Sequence, residues 1–274
     1  YGMCSKSLDG AKPTTKLVSH TWVARGLNRN WSHIAASKDG LNLTAAVPGG
    51  QLYISTDGGV TWIARERNRY WSCVASSADG ARLVAGVFGG QLYTSTDGGA
   101  TWTPRDSDRS WISVASSADG SILLAAAFDG QLYISVDGGE KWSPHENSRD
   151  WYRVVSSADG TRLVAATPGG IFLSSDSGES WMETQGNGYP TNLASSADGM
   201  RLFMGVNGGQ LYTSTDGGVT WTARDSNRNW RSVASSSNGM RLLAAEELGE
   251  LYTSMDGGVT WTPMGISGDW RSVA

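Results

Sequence analysis

The chain has 274 residues, of which 39% are hydrophobic, enough for the core of one closed all-β domain. Its net charge of −4 argues against a nucleic-acid partner, and no apolar run is long enough to predict a transmembrane helix. The composition is rich in Gly (36) and Trp (13), and it favours Arg over Lys, which suits planar, stacked or bidentate contacts.

A repeat of about forty residues organises the chain. Tryptophan recurs at this spacing, and Pro190 takes its place in one unit. The tryptophans are Trp31, Trp71, Trp111, Trp151, Trp230 and Trp270. One residue is missing near Gly170, at a place where the other units mostly carry glutamine, at Gln51, Gln91, Gln131 and Gln210.

Each unit predicts four short strands, as the second unit illustrates. Its β-type runs are Trp71–Ser76, Arg82–Val87, Gln91–Ser95 and Thr101–Pro104. Asp79-Gly80 and Asp97-Gly98-Gly99 separate them, and Asp and Gly tolerate the positive φ that tight hairpins need. Four antiparallel strands in every forty residues are typical of one β-propeller blade.

The units predict a single propeller domain over residues 1–274. Their approximate bounds are 31–70, 71–110, 111–150, 151–189, 190–229 and 230–269. Thr21–Arg25 matches a fourth strand and Trp270–Ala274 a first strand, so residues 1–30 together with 270–274 would close a seventh blade and leave no open sheet edge. Six blades with trailing segments are the alternative, because residues 1–20 are short for two middle strands.

An eight-residue motif, Ser-x-Asp-x-Gly-x-Thr-Trp or a close variant, follows the third run of each unit. It begins at Ser55, Ser95, Ser135, Ser174, Ser214 and Ser254. The motif resembles the Asp-box, or bacterial neuraminidase repeat, found in propellers of sialidases, other glycoside hydrolases, sortilin-type receptors and photosystem II assembly factors. The resemblance covers nearly the whole chain from Thr21. It implies a sialidase-like fold with the box in the turn between third and fourth strands, away from the usual ligand face.

The aspartates of the motif are predicted to be structural. They are Asp57, Asp97, Asp137, Asp176, Asp216 and Asp256. An Asp side chain accepts hydrogen bonds from the backbone of its own turn, and the Trp that follows covers that turn. We therefore do not interpret them as catalytic carboxylates or calcium ligands.

A repeated Arg-x-Trp sequence stands where the fourth strand of one blade leads into the next. Its members are Arg29 and Trp31, Arg69 and Trp71, Arg109 and Trp111, Arg149 and Trp151, and Arg228 and Trp230. Such a ring at one mouth could bind a sugar or a carboxylate. The alternative is that each Trp packs between blades while each Arg stacks on it. Both residues are missing at Gln185–Pro190, which marks either a specialised wall or decay of the repeat.

Three glutamates are the weak candidates for catalysis. Glu246, Glu247 and Glu250 depart from the repeat in the loop between second and third strands, and a pair of carboxylates is the minimum for glycoside hydrolysis. A solvated acidic loop paired with the ring arginines is the alternative. Sialidases carry three arginines around the substrate acid, a Tyr nucleophile with a Glu partner, an Asp acid/base and a Phe-Arg-Ile-Pro segment. That segment is absent, and no arginine of the ring stands out from the repeat.

Neither a metal nor a cofactor is predicted. His20, His33 and His145 share no spacing, and His33 fits a packing variant in a first strand. Cys4 and Cys73 make neither a disulfide framework nor a metal site, and whether they pair stays open. No signal peptide is visible, so the compartment is open, with an extracellular or secreted location favoured.

The leading functional hypothesis is a non-catalytic, lectin-like propeller that binds carbohydrate through the Arg-x-Trp loops. It is motivated by the repetition of these loops and by the lack of one asymmetric catalytic constellation. The first alternative is a scaffold or assembly factor that binds a protein at the same mouth. The second is a glycoside hydrolase of sialidase-like fold. The oligomeric state is not predicted.

Overall fold

A computed structural model describes residues 23–25, 29–186 and 188–274, and this part of the chain contains strands but no helix. Accordingly, no helix here could cross a membrane. The strands are β1 (His33–Ala36), β2 (Leu43–Ala46), β3 (Pro48–Ser55), β4 (Ile63–Ser76), β5 (Leu83–Ser95), β6 (Thr103–Ser116), β7 (Leu123–Ala127), β8 (Gly130–Ser135), β9 (Ser143–Arg149), β10 (Arg153–Ser156), β11 (Leu163–Thr167), β12 (Gly170–Ser174), β13 (Met182–Gln185), β14 (Pro190–Ser195), β15 (Leu202–Ser214), β16 (Thr222–Ser235), β17 (Leu242–Glu246), β18 (Glu250–Ser254) and β19 (Thr262–Ser267).

Consecutive strands pair antiparallel except at β9–β10 and β13–β14, and the described residues form six four-stranded units. Long elements serve two strand positions: β4 supplies the fourth strand of the first unit and the first strand of the second. The predicted all-β class and antiparallel hairpins are confirmed.

The core lies between successive units. Trp71 at the start of the second unit contacts Ala46 and Leu52 of the first, together with Ala85 and Tyr93 of its own. Its side chain is fully buried, as are those of Trp111 and Trp151. A large flat ring therefore fills the wedge between two sheets, and this explains the high Trp content.

A backbone ladder joins neighbouring units at the turns between their first and second strands. The N–H of Ala78 donates to the carbonyl of Ala118 at 2.7 Å, and that of Ala118 donates to Ala158 at 2.7 Å. The same bond links Lys38 to Ala78, Ala158 to Ala197 and Ala197 to Ser237. These bonds fix the spacing between units at one face of the molecule.

The C-terminal segment 270–274 packs against the last unit. Val273 is buried beside Leu243 and Leu251, and its N–H donates to Ser232 Oγ at 3.1 Å. Val154, in the first strand of the fourth unit, donates in the same way to Ser113 Oγ at 3.1 Å. The tail thus occupies the place of a next first strand. Most of the predicted N-terminal contribution, residues 1–22 and 26–28, lies outside the described residues, and Val23–Arg25 form no strand.

Candidate functional site

Two sets of loops lie side by side at one end of the molecule, which we call the mouth. One set joins second to third strands, and the other leads from each fourth strand to the next unit. They are hydrogen-bonded together: the N–H of Phe128 donates to Ser110 O, and that of Glu247 to Asn229 O, both at 2.8 Å. The predicted Arg-x-Trp positions and the three glutamates therefore share this end.

The backbone of the mouth contains a repeated left-handed residue. Glu66, Asp106, Glu146 and Asp225 have φ between 52° and 60°. A glutamine side chain donates to the carbonyl of each, as Gln131 Nε2 does to Glu146 O at 2.8 Å, and Gln51, Gln91 and Gln210 do the same. Left-handed backbone is unfavourable for a residue with a Cβ, so this bond supports the turn. The repeated glutamine was visible in the sequence, but its role was missed.

Each ring arginine lies over an aromatic ring of the third strand. The Arg109 guanidinium carbon is 4.3 Å from the centre of the Tyr133 ring, and Trp111 meets that ring edge-on at 5.1 Å. The same stack is formed by Arg29, Tyr53 and Trp31, by Arg69, Tyr93 and Trp71, by Arg149, Phe172 and Trp151, and by Arg228, Tyr252 and Trp230. Cation–π attraction and edge-to-face packing hold the stack together.

The tryptophans of these stacks lie below the surface. Trp71, Trp111 and Trp151 have no exposed area, and Trp31 keeps 6%. A buried ring has no face to offer a sugar, so these side chains reach a ligand only through the residues above them. The arginines remain partly exposed, and Arg69, Arg109 and Arg228 each lie within 3.9 Å of the acidic residue three positions earlier. They stay candidate ligand-binding residues, whereas the tryptophans act in packing.

The ring is interrupted between the fourth and fifth units. Pro190 is buried at the place of the missing Trp, and Tyr189 beside it is 62% exposed. Gln185 does not adopt the left-handed conformation seen in the other units, where a glutamine side chain supports it, and Gly170 stands in the place of that glutamine. The lost residue near Gly170 thus coincides with a different loop shape.

Two of the three candidate catalytic glutamates, Glu246 and Glu250, lie near Tyr252. Glu246 ends β17 and Glu250 begins β18, on opposite sides of a hairpin, so they do not share a strand. Glu246 lies 3.6 Å from Arg228 Nη1 and accepts a long hydrogen bond from the Tyr252 hydroxyl at 3.4 Å. The acidic loop paired with a ring arginine, the alternative considered from the sequence, is the arrangement seen.

A central cavity of about 640 Å³ opens at the mouth. Residues of the first strands of all six described units and the C-terminal segment line it, among them His33, Ser72, Ile112, Asn192 and Ser272. Four lining residues are arginines, Arg29, Arg153, Arg231 and Arg271, and one is a carboxylate, Asp269. A protein of net charge −4 therefore has a cationic cavity at its centre.

The Asp-boxes lie at the opposite end. The N–H of Gly98 in one box donates to Ala81 O in the turn between first and second strands, at 2.9 Å. Asp97 accepts from Ser95 Oγ at 2.8 Å, Thr101 N at 2.9 Å and Thr101 Oγ1 at 2.6 Å. The hydroxyl bond from Thr101, then its N–H bond, lowers the pKa of Asp97 to about 2. Asp57, Asp137, Asp176, Asp216 and Asp256 are held in corresponding turns.

Among the described residues, no group of three or more His, Cys, Asp or Glu side chains could hold a metal. His33 lines the cavity, and burial, followed by the charges of Arg153 and Arg231, lowers its pKa to about 3. Cys73 is a free, buried thiol, and burial raises its pKa to about 11. Cys4 and His20 lie outside the described residues.

Comparison with known proteins supports the repeat and the fold. A family model described as BNR/Asp-box repeat matches residues 93–104 and 212–223. YCF48 from Cyanidioschyzon merolae is similar in structure, with a TM-score of 0.69 and 16% identity over 89% of this chain and 88% of that one. A structure of YCF48 bound to D1 peptide has a TM-score of 0.68 and 18% identity, over 88% and 85% of the two chains.

An ancestral GH74 enzyme is also similar, with a TM-score of 0.69 and 17% identity over 86% of this chain. The match spans 38% of that enzyme. A search of curated proteins finds no match. At these identities the structural likeness concerns the fold. The chain thus contains BNR/Asp-box repeats, and it shares the fold of these similar structures.

Proposed function

We propose that the chain is a non-catalytic recognition propeller whose mouth binds a segment of another protein. The observation that carries this proposal is the exposure of large apolar side chains among the mouth loops. Tyr70 is 59% exposed, Phe88 45% and Leu248 77%, besides Tyr189. Tyr70 and Phe88 are in contact, and exposed apolar patches mark interaction sites in soluble proteins.

Aromatic residues of the mouth come in two pairs that bridge neighbouring loops, and the first pair is exposed. Tyr70 meets Phe88 edge-on with 6.2 Å between ring centres, and Phe128 meets Tyr152 at 6.1 Å. Ring arginines lie near these pairs in the sequence: Arg69 directly precedes Tyr70, and Arg109 lies between Phe88 and Phe128. Tyr, Phe and Arg are the side chains enriched at protein interfaces, and they carry much of the binding energy there.

Two further observations support a non-catalytic protein binder. Glu246, one of the catalytic candidates, is engaged by Arg228 and Tyr252, and the other carboxylate on Arg228 is Asp225, at a position that is acidic in most units. A similar propeller, YCF48, has a structure with a bound peptide, which makes peptide binding feasible on this fold.

The proposal can be tested with a displayed peptide library selected against the purified chain. Selected peptides are then titrated against Tyr70→Ala and Phe88→Ala. The matched controls are Val219→Ala and Met255→Ala, which remove exposed apolar side chains from the Asp-box end. We expect about tenfold or greater weakening for the mouth variants and no change for the controls, since tenfold corresponds to about 1.4 kcal/mol. Equal affinities for all four variants would overturn the proposal.

Carbohydrate binding at the same mouth, the function predicted from the sequence, is the second candidate. Tyr70 presents an exposed ring at the cavity, where Arg29 and Asn30 also lie, and this combination suits a sugar. A glycan array with neutral and acidic sugars distinguishes the two. A hit that Arg69→Ala and Tyr70→Ala both weaken, with no peptide selected, would favour carbohydrate.

We also propose that the propeller closes as seven blades in one domain. The support comes from Val273, whose bond to Ser232 repeats the bond of Val154 to Ser113, and from the cavity, which six units and the tail surround. Residues 1–30 would supply the remaining strands of the seventh blade. A six-blade ring predicts instead that the tail can be removed without loss of stability.

A further inference from the structure

The inner wall of the central cavity carries two arginines that lie outside the Arg-x-Trp motif. They stand just after the first-strand tryptophans, at Arg153 and Arg231, where the second unit has Cys73 and Ser72. The first strand of the fourth unit places one, and that of the sixth places the other. Both line the cavity together with His33 of the first unit, and their charges lower its pKa.

These two guanidinium groups have little to neutralise them. Arg153 Nη1 donates to the carbonyl of Tyr152 at 2.8 Å, while its enclosed Nε meets no partner. Within the described residues, neither Arg153 nor Arg231 forms an ion pair, and Asp269 is bound to Arg271 at 2.8 Å. Burial, and then the charge of Arg231, lowers the pKa of Arg153 to about 10. Arg153 therefore stays charged at neutral pH, and Arg231 repels it.

The surroundings add neutral hydrogen-bonding groups. Ser72, Asn192 and Ser272 line the same space, and His33 is uncharged at neutral pH. Two cations facing a polar cavity without a carboxylate between them are stabilised by a bound anion. Arginine holds planar or tetrahedral oxyanions through two parallel N–H bonds.

We propose that the inner cavity is a binding site for a small, doubly charged oxyanion, held by Arg153 and Arg231. One anion binds per chain, because both arginines line the same cavity. The site is independent of the proposed protein-binding function, which rests on the exposed rim residues Tyr70 and Phe88. Either can fail without the other.

The test is calorimetric titration of the full chain with inorganic phosphate at pH 7.5, with chloride supplying constant ionic strength. We expect saturable binding of one phosphate, weakened about tenfold or more by Arg153→Gln and by Arg231→Gln. Arg67→Gln is the matched control, because it removes one charge from an exposed mouth residue that does not line the cavity. It should leave phosphate affinity unchanged.

Malonate is titrated in parallel to distinguish the source of the oxyanion. Binding of phosphate alone identifies a phosphate group, and binding of malonate alone identifies a dicarboxylate. Arg231→Lys, which keeps the charge and loses the fork of donors, should weaken binding and covers the case in which Arg153→Gln does not fold. The proposal is overturned if neither anion binds saturably, or if Arg231→Gln and Arg67→Gln bind equally well.

Discussion

The bond between the tail and the last unit offers a sharp test of ring closure. Ser232→Ala removes the acceptor of the Val273 N–H and leaves that buried donor unsatisfied. Ser113→Ala does the same to Val154. A buried polar group without its partner costs about 1–3 kcal/mol, so both substitutions should lower the free energy of unfolding by a similar amount.

Deleting Arg271–Ala274 should change the effect of Ser232→Ala but leave the effect of Ser113→Ala unchanged. In the shortened chain Ser232 has lost its partner. The destabilisation caused by Ser232→Ala should therefore be smaller there than in the full chain, by about 1 kcal/mol or more. Ser113→Ala should cost the same in both, since distant sites add independently. Ser232 also accepts from Asn192 at 2.9 Å, but this contribution is present in both backgrounds and cancels.

The assay is urea unfolding of the six proteins, followed by tryptophan fluorescence, with thermal unfolding as a second readout. For a chain of this size, about 1 kcal/mol corresponds to roughly 2–4 °C in Tm. If Ser232→Ala costs the same with and without the tail, the tail does not act as a strand of the ring, and the closure proposed from Val273 is refuted.

Three further predictions concern the turns and the buried thiol. In the folded chain the pKa of Asp97 and of most other box aspartates is about 2, below the ordinary value of 3.8. The stabilisation by these carboxylates is therefore complete above about pH 4 and is lost as the pH falls towards 2. The urea midpoint should fall across this pH range, and it should fall less steeply in Asp97→Asn. Gln131→Ala should cost about 1 kcal/mol, and Glu146→Gly should restore part of it because glycine accepts positive φ, as urea unfolding can show. In a Cys4→Ser background, Cys73 should resist a thiol reagent until the protein is unfolded, and rapid native labelling would contradict its burial.

The strands could be predicted because the same pattern of β-type runs and turns recurs in successive units. Alternation and Asp-Gly turns located Trp71–Ser76 and Gln91–Ser95, and both runs lie within observed strands. The bounds were less accurate at the mouth, where β4 extends from Ile63 through the loop. The polar sequence of this loop predicts neither extended backbone nor the left-handed conformation of Glu66.

The burial of the ring tryptophans was harder to predict. A Trp at the end of a strand, next to Arg and Asn, is compatible with both packing and ligand binding. Tyr93 decides the matter, because it packs edge-on against Trp71 and takes Arg69 on its face. The aromatic residue of the third strand recurs in every unit, but its contact with the Trp depends on sheet twist and register, which the sequence does not state.

The cavity arginines were missed because they lie outside the Arg-x-Trp motif. Around the axis, first strands of different units face one another, so residues far apart in sequence, such as His33, Arg153 and Arg231, become neighbours. Repeat periodicity marks what the units share, and it hides single departures of this kind.

Binding stoichiometry follows from this distinction between shared and unique residues. A ligand bound by the five Arg-aromatic stacks would meet several equivalent sites on one chain. A multivalent form of that ligand would therefore bind with avidity. A ligand bound by Arg153 and Arg231 meets one site, because both arginines line the same cavity, as does Arg271 at the corresponding place of the tail. One phosphate per chain therefore indicates the cavity, whereas several equivalent anions per chain would indicate the ring.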